Sequence, residues 1–154
     1  MNNLPYFLAL NRIKNIGPRT VKKLLHRWPN LKELFELSTP ERIAEGLPAP
    51  LASLIGSFDW DMVTSDISWG QGSNQHLLTW ESPGYPLLLK EIADPPVVLY
   101  AKGSMEALNQ PCIAMIGSRN PSVTGAENAF RFAKELAGYG LSIVSGLALG
   151  IDAA

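Results

Sequence analysis

The chain has 154 residues, 46% of them hydrophobic, and a formal net charge of −1 at pH 7, so it can bury a real core as one ordinary domain or two small ones and does not bind polyanions through bulk charge. No apolar run reaches the roughly eighteen residues of a membrane-spanning helix, and no secretory signal pattern opens the chain. A single cysteine, Cys112, excludes an internal disulfide and a cysteine-rich metal site, and a reducing cytoplasm is the expected compartment.

The average charge hides an asymmetry. No Asp or Glu precedes Glu33, whereas Arg12, Lys14, Arg19, Lys22, Lys23, Arg27 and Lys32 supply seven of the 13 basic residues. Leu4 to Leu10 reads as an apolar helix with Leu4, Phe7 and Leu8 on one face, broken by Asn11 to Gly17. Pro18 opens a second helix, at the position where its missing N–H has no partner to lose. Val21, Leu24, Leu25 and Trp28 form the core stripe of that helix at helical spacing. Arg19, Lys22, Lys23 and Arg27 lie mostly on the other side and are candidate auxiliary phosphate contacts; a solvated basic face is the competing reading. The run Ile13 to Leu25, IKNIGPRTVKKLL, resembles a helix-hairpin-helix, in which a tight turn offers backbone N–H groups to nucleic acid. Asn15 stands where that motif has its first glycine, and Asn tolerates left-handed dihedrals.

Leu31, Leu34, Phe35 and Leu37 continue the apolar spacing, and Thr39 followed by Pro40, Glu41 and Arg42 reads as an N-cap and first turn. Leu51, Leu54 and Ile55 give a further turn before Gly56, completing a small helical bundle. Asp59 is placed to cap a helix carrying Trp60, Val63 and Ile67. WGQGSNQ, Trp69 to Gln75, is the linker candidate, dividing a helical domain over 1–70 from a second domain over 71–154. Beyond it, His76 to Trp80 is expected as a strand, Leu87 to Ile92 as a helical turn, and Val97 to Tyr100 as a buried strand entered through Pro95 and Pro96. Tyr85 and Pro86 are expected to pack rather than bind.

Cys112 to Ile116 is a continuous apolar run, the pattern of a parallel strand buried on both faces, and Gly117 ends it. After Pro121 and Gly125 a helix is expected, with Ala129, Phe132, Ala133, Leu136 and Ala137 at three- and four-residue spacing and Gly138 and Gly140 stopping it. Leu141 to Val144 is a second strand leading into Ser145, Gly146, Gly150 and Asp152. The unit is a βαβ crossover. Its two loops lie at the carboxyl ends of the strands, where α/β sheets bind anions. Gly117, Ser118 and Arg119 on one loop, with Ser145 and Gly146 on the other, are therefore the candidate anion site, and the Arg119 guanidinium suits phosphate. An arginine on a solvated loop beside a turn glycine is the alternative.

Catalytic constellations are not found. His26 and His76 are the only histidines and are unpatterned for a metal or a Ser/His/Asp arrangement. Neither a G-x-x-x-x-G-K-[ST] loop nor a G-x-G pair after the Cys112 strand is present. Asp152 as a general base lacks a visible partner acid, and capping of the next helix is its commoner role. No catalytic residue, metal or cofactor is expected.

GSR, a helix and then SGLALGID about thirty residues on, preceded by YPLLLKEIADPPVVLYAKG from Tyr85 to Gly103, together resemble the DNA-processing protein A family, also called Smf. The resemblance is specific over Trp80 to Ala154 and departs at Thr124, where the family usually has Tyr, and at Leu149, where it usually has a basic residue. It implies an α/β protein: a small N-terminal helical domain, sterile-alpha-motif-like or helix-hairpin-helix-like, followed by the first, incomplete part of a Rossmann-like parallel sheet. The 154 residues are accordingly expected to be an N-terminal fragment. The implied function is binding of single-stranded DNA, with Gly117, Ser118, Arg119, Ser145 and Gly146 on the phosphates, and loading of the RecA recombinase during natural transformation. The implied partners are single-stranded DNA, RecA and a second copy in a homodimer of the intact protein, with no membrane and no enzymatic activity. Two other classes compete: a nucleotide-phosphate-hydrolysing enzyme of the lysine-decarboxylase-like group, which shares this half-sheet, and a protein-interaction module, which leaves Arg119 unused.

Overall fold

The computed structural model describes residues 3–154 and divides at Gly103 and Ser104 into two compact units. In the first unit, six helices precede a strand pair: α1 (Leu4–Arg12), α2 (Pro18–Arg27), α3 (Leu31–Glu36), α4 (Thr39–Ala44), α5 (Ala49–Gly56) and α6 (Asp61–Gly70). β1 (Gln75–Thr79) then pairs antiparallel with β2 (Val98–Lys102), Gln75 opposite Lys102 and Thr79 opposite Val98, with the short helix α7 (Leu87–Lys90) between them. The expected linker Trp69 to Gln75 is the tight joint from α6 into β1.

One apolar core serves both parts of this unit. Phe7, Leu8, Leu10, Val21, Leu31 and Leu34 are fully or almost fully buried, and Val97 and Val98 at the start of β2 close the same cluster. Val21, Leu24 and Trp28 are buried on α2 as their spacing requires, while Leu54 on α5 is exposed and Ala52 takes the core position. Asn15, at φ 67°, makes the left-handed turn between α1 and α2. Tyr85 is buried, and its hydroxyl donates to the Pro96 carbonyl at 2.8 Å.

The buried polar side chains of this unit, Asn3, Arg42, Asp66 and Thr79, all have hydrogen-bond partners. Arg42 on α4 is buried without a carboxylate partner: Nε donates to the Leu34 carbonyl at 2.9 Å and Nη2 to the Phe35 carbonyl at 2.8 Å. These carbonyls end α3 and have no partner inside that helix, so the guanidinium serves as its C-terminal cap. The cap of α4 itself is Ser38, one residue before the expected Thr39. Ser38 accepts from the Glu41 N–H while the Glu41 carboxylate accepts from the Ser38 N–H, a reciprocal box that Thr39 is out of step to make. Asp59 accepts from the Asp61 N–H at 3.0 Å, but Trp60 occupies the N-cap position of α6.

Across the helices, Arg12 of α1 donates from Nε and Nη2 to the two oxygens of Asp66 on α6, both at 2.6 Å. Asp66 is buried, and these donations hold its carboxyl below the ordinary value of 3.8.

The second unit is the βαβ crossover. β3 (Cys112–Ala114) runs parallel to β4 (Ser142–Val144), Cys112 opposite Ser142 and Ala114 opposite Val144, with α8 (Val123–Gly138) between them in sequence. Ser122 caps α8 by accepting from the Gly125 N–H at 3.1 Å. The expectation that β3 is buried on both faces is not met: Cys112, Ile113 and Ala114 are all exposed. A two-stranded pair carrying one crossover helix has too little cover for it. Ala126, Ala129, Ala133 and Leu136 form the inner stripe of α8, and the expected core residues Phe132 and Ala137 are exposed.

Two outcomes test this account of the helical unit. Arg42→Met keeps the apolar stem and strands the α3 carbonyls, so urea unfolding of the intact protein should lose about 2–4 kcal/mol with an unchanged slope. Because the Asp66 carboxyl is lowered by folding, its contribution is complete above pH 3.8 and fades as pH falls through the folded value. Asp66→Asn should therefore cost about 2–3 kcal/mol at neutral pH and flatten the acid limb of the stability curve.

Candidate functional site

The two loops of the crossover meet through one carboxylate. Gly117, directly after the β3 run, donates its N–H to Asp152 Oδ1 at 3.1 Å, and Gly146, after β4, donates to Asp152 Oδ2 at 3.2 Å. Ser145 Oγ donates to the Asp152 carbonyl at 2.8 Å and accepts from the Leu147 N–H at 3.2 Å. The Ile151 N–H closes the joint on the Ser118 carbonyl at 3.1 Å. All five candidate residues thus stand on two loops that are tied together.

Two glycines make this approach possible. Gly150 has φ 96°, a left-handed conformation, and a Cβ there would lie 2.1 Å from the Ser118 carbonyl oxygen. A Cβ on Gly117 would lie 2.7 Å from the Ile151 side chain. The sequence places Gly117, but not Gly150, in the candidate anion site; in the structure the first physical role of both glycines is to let the loops pack on one another.

What remains free for a ligand is narrower than the five residues suggest. The N–H groups of Gly117 and Gly146 and the hydroxyl proton of Ser145 are spent inside the protein. Ser118 Oγ accepts from the Asn120 N–H at 3.1 Å, which leaves its own hydroxyl proton available to donate. Arg119 is exposed and has no hydrogen bond or ion pair to any described residue. Leu147, at φ 53°, and Leu149 are 84% and 80% exposed. The departure at Leu149 therefore puts an apolar side chain on the open loop surface, and Thr124 lies exposed in the first turn of α8.

Asp152 is the residue whose role the sequence conceals. It lies in a short 3-10 turn, Ile151–Ala153, and reaches an amide thirty-five positions earlier in the chain. Neither general base nor cap of the next helix describes that geometry. The available signal was GID itself, a glycine two residues before an acid at the carboxyl end of a strand.

On the helical unit, Arg19, Lys22, Lys23 and Arg27 are exposed on α2 as expected. They are not equally available. Arg19 pairs with Asp94 at 2.7 Å, Arg27 pairs with Glu45 and stacks over the Trp28 ring at 4.9 Å, and Lys22 and Lys23 pair with no described acid. Among the described residues no group of three or more metal-ligating side chains is present, and no helix is long and apolar enough to cross a membrane.

Comparison with known proteins agrees with this architecture. Residues 76–154 match the family described as DNA recombination-mediator protein A. The chain is 32% identical to Protein Smf of Synechocystis over 96% of its own length and 39% of that protein's. It is 47% identical over 72 residues to DNA processing protein DprA of Bacillus subtilis, covering 46% of this chain and 24% of that one. The X-ray structure of DNA processing protein A from Streptococcus pneumoniae matches at a TM-score of 0.68 and 29% identity, over 99% of this chain and 52% of the other. The chain thus spans about half the length of that solved relative and less of the others. Helices followed by a parallel strand pair constitute the helical part and the first part of a Rossmann-like sheet. With the family matched across the strand pairs and the Smf identity running through the helices as well, the chain belongs to the DNA-processing protein A (DprA/Smf) family.

Proposed function

We propose that this chain is the single-stranded-DNA-binding portion of a DNA-processing protein that protects incoming strands during natural transformation and loads the RecA recombinase onto them. It acts in the cytoplasm, without catalysis, as part of a homodimer in the intact protein. Gly117, Ser118, Arg119, Ser145 and Gly146 form the phosphate site, with Arg19, Lys22, Lys23 and Arg27 as an auxiliary basic surface.

The observation that carries this reading is the exposed Arg119, unpaired among the described residues, on a loop that Asp152 fixes against its neighbour. A fixed loop spares the backbone part of the ordering cost at each binding event, leaving only the Arg119 side chain to be ordered, and a fork of donors suits a phosphate oxygen pair. Arg119 and the Ser118 hydroxyl supply the donors. The glycines hold the scaffold, and such a site reads backbone rather than base sequence.

Arg119→Ala should weaken binding of the intact protein to labelled oligothymidylate by about tenfold or more, equally for other sequences, and lower the salt slope by about 0.7. Fluorescence anisotropy across a salt series measures both, and thermal unfolding should not change. Unaltered DNA binding, together with loss of a mononucleotide-hydrolysing activity, would overturn the reading in favour of an enzyme. Asp152→Asn removes a negative charge yet leaves one glycine N–H facing a donor, at a cost of about 1–3 kcal/mol. That variant should bind single strands more weakly than the parent, whereas a site sensitive only to net charge would bind them more tightly.

A further inference from the structure

A cleft of about 210 Å³ opens beside the N-terminal half of α2, between that helix and the segment from Trp80 to Pro95. Its volume is below the roughly 300–1,000 Å³ of sites that enclose a drug-sized ligand, so it suits one unit of a polymer rather than a whole molecule. Trp80 and Ile92 give it apolar walls, and Arg19, Lys22 and Lys90 bring cations to it. The Trp80 ring is held in place: its indole N–H donates to the Pro96 carbonyl at 2.8 Å, and it meets Phe7 edge-on at 6.2 Å between centroids. Lys90 Nζ donates to the Trp80 carbonyl at 2.8 Å, which fixes its charge at the same place.

The cations do not stop at the cleft. Lys22 and Lys23 follow one another on the exposed face of α2 without acidic partners among the described residues. Asp94, between the lining residues Ala93 and Pro95, is bound to Arg19 in a pair whose side chains are 78% and 45% exposed. Such a pair opens at little cost, so an incoming phosphate can take the place of the Asp94 carboxylate. A preformed aromatic wall beside a track of cations fits a chain that alternates flat bases with phosphates better than an isolated acidic side chain.

We infer that the Trp80 cleft is a second single-stranded-DNA site, which takes one base against Trp80 and the adjoining phosphates on Lys22, Lys90 and Arg19. The inference rests on the single-strand reading above and deepens its auxiliary α2 surface by adding Trp80 and Lys90 to Arg19 and Lys22, but it uses no residue of the Arg119 site. Sequence preference is absent, because every base has a stacking face.

The test uses the intact protein, labelled oligothymidylate and an abasic strand of equal length. Ala93 is exposed and lines the cleft, so Ala93→Leu fills the cleft without touching a charge or the core. It should weaken oligothymidylate binding about fivefold or more and leave the abasic strand unaffected. The double variant Lys22→Gln, Lys90→Gln should weaken both strands and lower the salt slope by about 0.7 to 1.4. Wild-type affinity of Ala93→Leu for oligothymidylate overturns the site. So does a double variant that binds both strands normally while losing affinity for polyglutamate, which makes the cleft a site for acidic peptides. Arg119→Ala measured alongside separates the two readings: a loss there with no effect of Ala93→Leu leaves the first site standing and removes this one.

Discussion

A single carboxylate organises the crossover unit. Asp152 accepts the Gly117 and Gly146 N–H groups on its two oxygens, and each amide stands at the point where a strand gives way to a loop. Without an acceptor these amides would each have to find water or a ligand. With it, both loops have one spacing, set by the width of a carboxyl group, before any ligand arrives. The arrangement imitates internally what such strand ends otherwise do with an external anion. It costs the site a nearby negative charge, which the donors on Arg119 and Ser118 have to outweigh.

Charge in the helical unit has a similar double use. Counted along the chain, its cations make a basic module, but Arg42 and Arg12 are engaged in structure, one on helix carbonyls and one on Asp66. Arg19 and Arg27 carry carboxylate partners at the surface, and only Lys22 and Lys23 of the α2 set are unpaired among the described residues. A surface field is set by those that remain, so a count of basic residues overstates it. The long stems also matter: Arg27 lies over Trp28 and covers apolar surface while its head stays wet.

Much of this was legible in the sequence because local rules decide it. The Val21, Leu24, Trp28 stripe, the left-handed Asn15 turn and the order strand, helix, strand after Cys112 follow from spacing and dihedral preference. The cap of α4 was misplaced by one residue, since Thr39 is as good a cap as Ser38 by type and only the reciprocal bond with Glu41 separates them. The Cys112 strand is exposed within these 154 residues, since an apolar run reports what a strand can bury and not which surfaces cover it. The joints of longest range could not be read at all: Arg12 finds Asp66, and Gly117 finds Asp152, at separations on which periodicity carries no information.

The register of β1 against β2 carries a consequence for how the first unit assembles. Its strands are separated by about twenty residues that hold only the four-residue helix α7, yet β2 must deliver Val98 into a core otherwise made by helices. Closing such a loop costs entropy before any strand bond offsets it. The helices do not meet through sequence neighbours alone, since α1 is tied to α6 through Arg12 and Asp66, so the strand pair is one of several long-range closures in this unit. The Pro96 carbonyl offsets part of that cost, because it accepts from both the Trp80 indole N–H and the Tyr85 hydroxyl at 2.8 Å and so draws the two ends of the connecting segment onto one backbone oxygen at the mouth of β2.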